Sequence, residues 1–436
     1  MNDITLYPHQ EQVLKDTEGH DRVAYYLDMG LGKTFVGSEK MKQIGNDVNL
    51  LICQKSKVAD WVDHFRKYYP EYKVFDATST KRDDKRSYEY GFWMNYRCGN
   101  KVVPSVIVIN YELAWRRKEL QMLHDFTLIL DESSMIQNEQ AKRTKFILKL
   151  EPSSVILLSG TPTAGKYERL WSQVRLLGWG ISKSLYYKQF VVMEYIDING
   201  SGMMIPVVKG YRNVERLKRK LRENGAVFMK TEEAFLLPEQ NDVPVLVNTT
   251  LQYRTFAKKA VVWVDNKQLI GDTTLTKRLY LRQLCGQYNE DKLSAFADLL
   301  SSTEDRLIVF YNFNAEVEEL QHICEEMKRP VSIINGSTKD LTAYETEDNS
   351  VVLVQYQAGS MGLNLQKSNK VVYFTLPERS ELFEQSKKRI HRIGQSRPCF
   401  YYYLLCRDSI ELHIRDTLKM RKDYTDELFK EKFGQV

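Results

Sequence analysis

The chain has 436 residues, of which 43% are hydrophobic and 28% charged. That is enough apolar surface to build cores, which excludes global disorder, and the length suits about three domains or two large ones. The net charge of +6 permits a polyanionic partner without requiring one. No run approaches the ~18 consecutive apolar residues of a membrane-spanning helix, and MNDITLYPHQ lacks the basic-then-apolar pattern of a secretory leader, so no membrane association is expected. The six cysteines include no C-x-x-C pair, so they read as buried free thiols rather than zinc ligands or disulfides.

In chain order, short runs rich in branched residues recur at 23–27, 49–53, 106–109, 126–130 and 155–158. Helical patterns such as 58–69 lie between them. This alternation predicts a parallel sheet covered on both faces. From about Tyr167 to Leu300 the strand signal thins, and helical, charge-rich sequence dominates. Within it, Val207 to Lys230 holds eight basic residues against two acidic ones. Leu236 to Pro244 reads as a linker. The strand rhythm returns at 306–311, 331–334, 351–355, 371–374 and 400–405, and Ser409 to Phe433 reads as an amphipathic helix. The expectation is an α/β protein of two parallel-sheet lobes, residues 1–235 and 236–436. A helical insertion lies between the two sheets, protruding from about 167 and continuing to about 300.

The first chemical signal is Asp28-Met29-Gly30-Leu31-Gly32-Lys33-Thr34, after a strand and opening a helix. Gly30 and Gly32 let backbone N–H groups approach a phosphate chain. Lys33 supplies a cation between the β- and γ-phosphates, and Thr34 a hydroxyl for magnesium. The full G-x-x-x-x-G-K-T pattern wants glycine at 27, where this chain has Leu27. The second signal is an apolar strand ending in Asp131-Glu132. The first carboxylate would hold the magnesium shell and the second would polarise the attacking water.

With these in place, the remaining motifs fall into the order of a known family. The chain resembles the Swi/Snf-related branch of superfamily-two helicases and translocases, over nearly its whole length. Leu6 to Gln10 is similar to the segment whose glutamine reads adenine, here Gln10. Leu51 to Ser56, followed by Trp61, is similar to motif Ia, and Val108 to Glu112 to motif Ib. Ile136-Gln137-Asn138 extends motif II, and Leu158 to Pro162 is similar to motif III. In the second block Leu307 to Phe310 resembles motif IV, Gln357 to Leu365 motif V, and Gln385 to Gln395, with His-Arg-Ile-Gly-Gln intact, motif VI. Two departures stand out: Ser134 replaces the usual large polar residue of motif II, and Gln137 stands where lysine is common.

The resemblance implies two RecA-like lobes and an ATP hydrolase that uses ATP and Mg2+. Lys33, Asp131 and Glu132 are its catalytic residues in the first lobe, and Thr34 and Asp131 hold the metal. Gln10, Gly30, Gly32, Lys33, Thr34 and Gly362 bind the nucleotide. Arg389 and Arg392, three apart and read as sharing a helical face, are arginine fingers from the second lobe. Contacts to nucleic acid are expected from Ser56, Asn110, Tyr111, Gly336, Ser337, Thr338 and Ser360, with backbone attraction from the basic stretch Arg212 to Arg222. The expected function is a DNA-dependent ATPase that translocates on duplex DNA or remodels branched DNA. The alternatives are a strand-separating DNA or RNA helicase, or a motor subunit recruited by an unidentified partner enzyme. Little length remains for an accessory domain, which suggests a compact bacterial or phage-like motor in the cytoplasm of the bacterium or infected host. Trp171, Trp179 and Trp263 are read as core packing.

Overall fold

The computed structural model describes residues 4–99, 103–197, 202–359 and 363–429. The chain divides into two compact units, Met1–Ala234 with Tyr424–Val436, and Phe235–Asp423. Among the described residues no helix is long and apolar enough to cross a membrane.

The main sheet of the first unit has seven strands: β1 (Arg22–Leu27), β2 (Val48–Cys53), β3 (Lys73–Asp76), β4 (Ser105–Asn110), β5 (Phe126–Asp131), β6 (Ser154–Leu158) and, after a hairpin, β9 (Ala226–Met229). The hairpin is β7 (Val191–Asp197) with β8 (Met204–Tyr211). The sheet order is β3-β4-β2-β5-β6-β1-β9, and every neighbouring pair is parallel. The central strands are buried throughout, as a sheet covered on both faces requires. Leu158 pairs with both Asp131 and Tyr25, so the carboxyl ends of β5, β6 and β1 finish side by side. That juncture, where loops leave a parallel sheet, is the usual place for a ligand.

The second unit opens with β10 (Gln240–Val247), followed by the hairpin β11 (Val261–Val264) and β12 (Lys267–Ile270). Then come β13 (Leu307–Tyr311), β14 (Val331–Ile334), β15 (Val351–Gln355), β16 (Lys370–Tyr373) and β17 (Cys399–Cys406). Its sheet order is β10-β17-β16-β13-β15-β14, again parallel throughout.

Several expectations need correction. The region 167–300 holds more than the expected helices: it also carries two antiparallel hairpins and contributes one strand to each main sheet. Its strands are half exposed, so their apolar residues are diluted by charge and the strand signal is weak. The supposed linker Leu236 to Pro244 runs into β10. Pro244 is tolerated there because β10 is an edge strand. Trp263 is 64% exposed on β11 rather than in a core, while Trp171 and Trp179 pack against the first unit's core. The last helix, Ile410–Phe429, is shared: Ile414 and Leu418 belong to the second core, and Tyr424 packs in the first. Of the cysteines, Cys98 is exposed and the other five are buried.

Candidate nucleotide site and nucleic-acid surface

The turn after β1 leads into the helix Lys33–Ile44. Gly30 and Gly32 take φ of +91° and +74°, the left-handed region, so the loop folds back over the helix start. A Cβ on Gly32 would lie 2.0 Å from the Gln10 side-chain nitrogen, so any side chain there would displace Gln10 and strain a left-handed backbone. Gln10 is buried: its Oε1 accepts from the Tyr7 N–H at 2.9 Å, and its Nε2 donates to the Leu31 carbonyl at 3.1 Å. The structure thus places Gln10 against the phosphate loop. The Lys33 ammonium donates to the carbonyls of Leu27 and Asp28 at 2.8 and 3.1 Å. Leu27 is the last residue of a buried strand, so the position that lacks the expected glycine is part of the sheet. Asp28 is tied down by the Thr231 hydroxyl at 3.0 Å.

Asp131 ends β5. Its Oδ2 accepts the indole N–H of Trp61 at 2.8 Å, from the helix Val58–Tyr68. Burial pushes the Asp131 carboxyl up, while that hydrogen bond and the charge of Lys33 pull it down. Glu132 has φ of +57°. Its Oε1 accepts two hydroxyls, Ser134 and Ser159, each at 3.0 Å. Motifs II and III therefore meet on one carboxylate oxygen, and Ser134, at the position of the usual large polar residue, takes part. Beneath them Gln173 knits the same two motifs. Its Oε1 accepts from Ser133 at 2.8 Å and Tyr26 at 3.0 Å, and its Nε2 donates to the Pro162 carbonyl at 2.8 Å. Gln137 also donates to Pro162, at 3.3 Å.

Gln173 went unrecognised in the sequence because it lies outside every motif. Its only signal is a polar residue on the apolar face of a short helix, fully buried in the structure.

In the second unit the motif VI helix is Ser380–Lys387, and Arg389 and Arg392 lie beyond its end. They do not share a helical face, because the chain turns at Lys388–Ile390. Arg389 is buried and donates to the Leu363 carbonyl of motif V at 3.2 Å. Arg392 is half-buried, and burial lowers its pKa. Neighbouring side chains hold the segment in place. Lys387 pairs with Asp242 at 2.8 Å over the Tyr401 ring, His391 contacts the Pro238 carbonyl at 2.9 Å, and Gln395 donates to the Ser368 carbonyl at 2.9 Å.

Of the residues expected at nucleic acid, Ser56 is exposed, and so are Gly336, Ser337 and Thr338. The Asn335 side chain shapes that second loop by accepting the backbone N–H groups of Ser337 and Thr338 at 2.9 and 2.8 Å. Tyr111 is a correction: it is wholly buried and its hydroxyl donates to the Asp131 carbonyl at 3.0 Å, so it supports the acidic strand end instead. Asn110 is 7% exposed, with its amide on Glu112. Ser360 and Gly362 lie outside the described residues. The basic stretch presents less free charge than its count suggests. Lys209, Lys218, Arg219, Lys220 and Lys230 pair with Glu194, Glu215, Glu223, Glu223 and Asp426, and Lys218 is buried.

A phosphate loop and an acidic strand end, flanking one strand of an all-parallel sheet, define a P-loop nucleotide-binding protein. More narrowly, the SNF2-related domain matches residues 27–290, and the helicase conserved C-terminal domain matches residues 291–394. The chain belongs to the SNF2-related family. It is similar to the SWI/SNF-related matrix-associated actin-dependent regulator of chromatin subfamily A-like protein 1 of Drosophila melanogaster, at 22% identity over 417 residues, which is 92% of this chain and 53% of that protein. It is also similar to the ATP-dependent helicase fft1 of Schizosaccharomyces pombe, at 22% identity over 514 residues, which is 92% of this chain and 52% of that protein. The chain thus spans about half the length of these curated relatives. Among solved structures, the Sulfolobus solfataricus SWI2/SNF2 ATPase core in complex with dsDNA aligns at TM-score 0.44 and 20% identity, covering 97% of this chain and 92% of that one.

Proposed function

We propose that this chain hydrolyses ATP in response to DNA and uses the cycle to move along double-stranded DNA or to remodel branched DNA. The observation that carries the reading is the pair of carboxylates at the end of β5 beside the Lys33 loop, with Glu132 clasped by Ser134 and Ser159. The loop glycines and Lys33 bind the phosphate chain. Glu132 orients the attacking water and accepts its proton, and its two serine donors hold the carboxylate in place to do so. Asp131 and Thr34 offer hard oxygen donors of the kind that suits Mg2+, which is bound by few protein groups together with substrate phosphates. When bound there, the ion would neutralise charge on the transferring phosphoryl group. Ser56 and the loop at Gly336–Thr338 are small, exposed and polar, which suits contact with phosphates rather than base reading.

The test is ATP turnover without nucleic acid and with single-stranded DNA, blunt duplex, forks, four-way junctions and RNA. Stimulation by blunt duplex, together with displacement of a triplex strand, is expected. No stimulation by any DNA would overturn the reading.

A further inference from the structure

Trp61 has no role in the nucleotide chemistry described so far, yet its indole N–H reaches Asp131 Oδ2 at 2.8 Å. The ring is 4% exposed and cannot readily turn. It stacks on Phe65 with centroids 5.7 Å apart and meets His64 edge-on at 5.6 Å. His64 is in turn held by the Ser38 hydroxyl at 3.0 Å, and Ser38 bonds the Thr34 carbonyl at 2.9 Å. An aromatic cluster under the phosphate-loop helix therefore aims one rigid donor at one oxygen of Asp131.

We propose that Trp61 is a positioning residue for magnesium: it fixes the rotamer of Asp131 so that a single carboxylate oxygen is presented to the metal. The inference rests on the nucleotide reading above and adds to it a group outside the metal shell. A neutral N–H suits this task. It orients the carboxylate as a lysine would, but leaves the full negative charge available to the cation. Groups that orient metal ligands in this way typically account for about 10–100-fold in metal affinity or activity.

The experiment is calorimetric titration of ADP into the full chain, without metal and over a range of Mg2+ concentrations, for the wild type and Trp61→Phe. Phenylalanine keeps a stacking ring and removes the donor. The Mg2+ concentration needed for half-maximal enhancement of ADP affinity should rise about tenfold or more, with ADP affinity in EDTA unchanged. If Trp61→Phe does not fold, tryptophan's sulfur isostere 3-benzothienylalanine, introduced at position 61 by codon suppression, removes only the N–H and decides the matter. An unchanged Mg2+ midpoint in the folded variant, or an equal loss with and without metal, overturns the proposal. Failure of the wild type to bind ADP at all would instead defeat the nucleotide reading.

Discussion

The shared oxygen of Glu132 gives a quantitative test. Ser159→Ala and Ser134→Ala each remove one hydroxyl from Oε1, at sites 0% and 8% exposed, where a serine-to-alanine change leaves almost no void. A hydrogen bond to a charged group contributes about 1.5–3 kcal/mol, and about 1.4 kcal/mol corresponds to tenfold in rate. In either single variant the remaining serine still holds the oxygen, so kcat should fall by only about tenfold. The double variant removes both hydroxyls from that oxygen, and the loss should reach about 1000-fold, beyond the product of the singles. The coupling, about 1.4 kcal/mol, is the signature of two donors acting on one acceptor. Steady-state ATP turnover at saturating duplex DNA gives kcat, and calorimetry with ADP shows whether binding is spared. A double variant within threefold of wild type would refute the positioning argument. A rise in kcat would also refute it, because the serines would then be restraining the base.

Lys33→Ala should abolish measurable turnover while leaving the melting temperature within a few degrees, since the half-buried side chain sits at the phosphate loop rather than in a hydrophobic core. Arg392→Ala should cost about 1000-fold in turnover with ADP affinity preserved, the size associated with a transition-state arginine. The His64 imidazole is buried in its aromatic cluster and its pKa is pushed down from 6.5 to about 4. The unfolded state therefore binds more protons between these values, so this group's contribution is present above pH 6.5 and is lost as pH falls towards 4. Urea unfolding should show about 2–3 kcal/mol lost across that window, with a flatter profile in His64→Phe. Lys292 and Glu411 form an ion pair at 2.6 Å, 0% and 2% exposed, in the second unit. Lys292→Met alone should destabilise by about 3–5 kcal/mol, and adding Glu411→Leu should recover most of it in denaturant titrations.

What the sequence disclosed follows from burial. Strands such as β2, β4 and β13 are buried at every position, so they appear as short runs dominated by apolar residues. β3 has one buried residue in four, and β8 and β10 are edge or hairpin strands with alternating or exposed residues, so nothing in their composition separates them from loops. The phosphate loop and acidic strand end were legible because their chemistry needs particular residues at fixed offsets. The support of those acids was not. Tyr111, Trp61 and Gln173 reach the site from 20, 70 and 40 residues away from their motif II partners. Tyr111 is instructive: position in a motif pointed to nucleic acid, while the fold turned the ring inward and spent its hydroxyl on the Asp131 backbone.

The two adjacent carboxylates are held by different chemistry, and the difference matches their tasks. Asp131 must keep its orientation whatever the substrate does, and it is fixed by a stiff aromatic donor on the helix after motif Ia. In the proposed cycle Glu132 exchanges a proton and adapts as the phosphoryl group departs, and it is held by hydroxyls, which can donate or accept by rotating about one bond. One of those hydroxyls belongs to the segment after β6, so a shift of that segment would alter the base without disturbing the metal ligand. Exchanging the supports provides the contrast: Ser159→Ala should change kcat with little effect on the Mg2+ midpoint for ADP, and Trp61→Phe should move the midpoint first. If both variants moved both quantities equally, the two acids would be acting as one unit, and the division of labour drawn from their partners would fail.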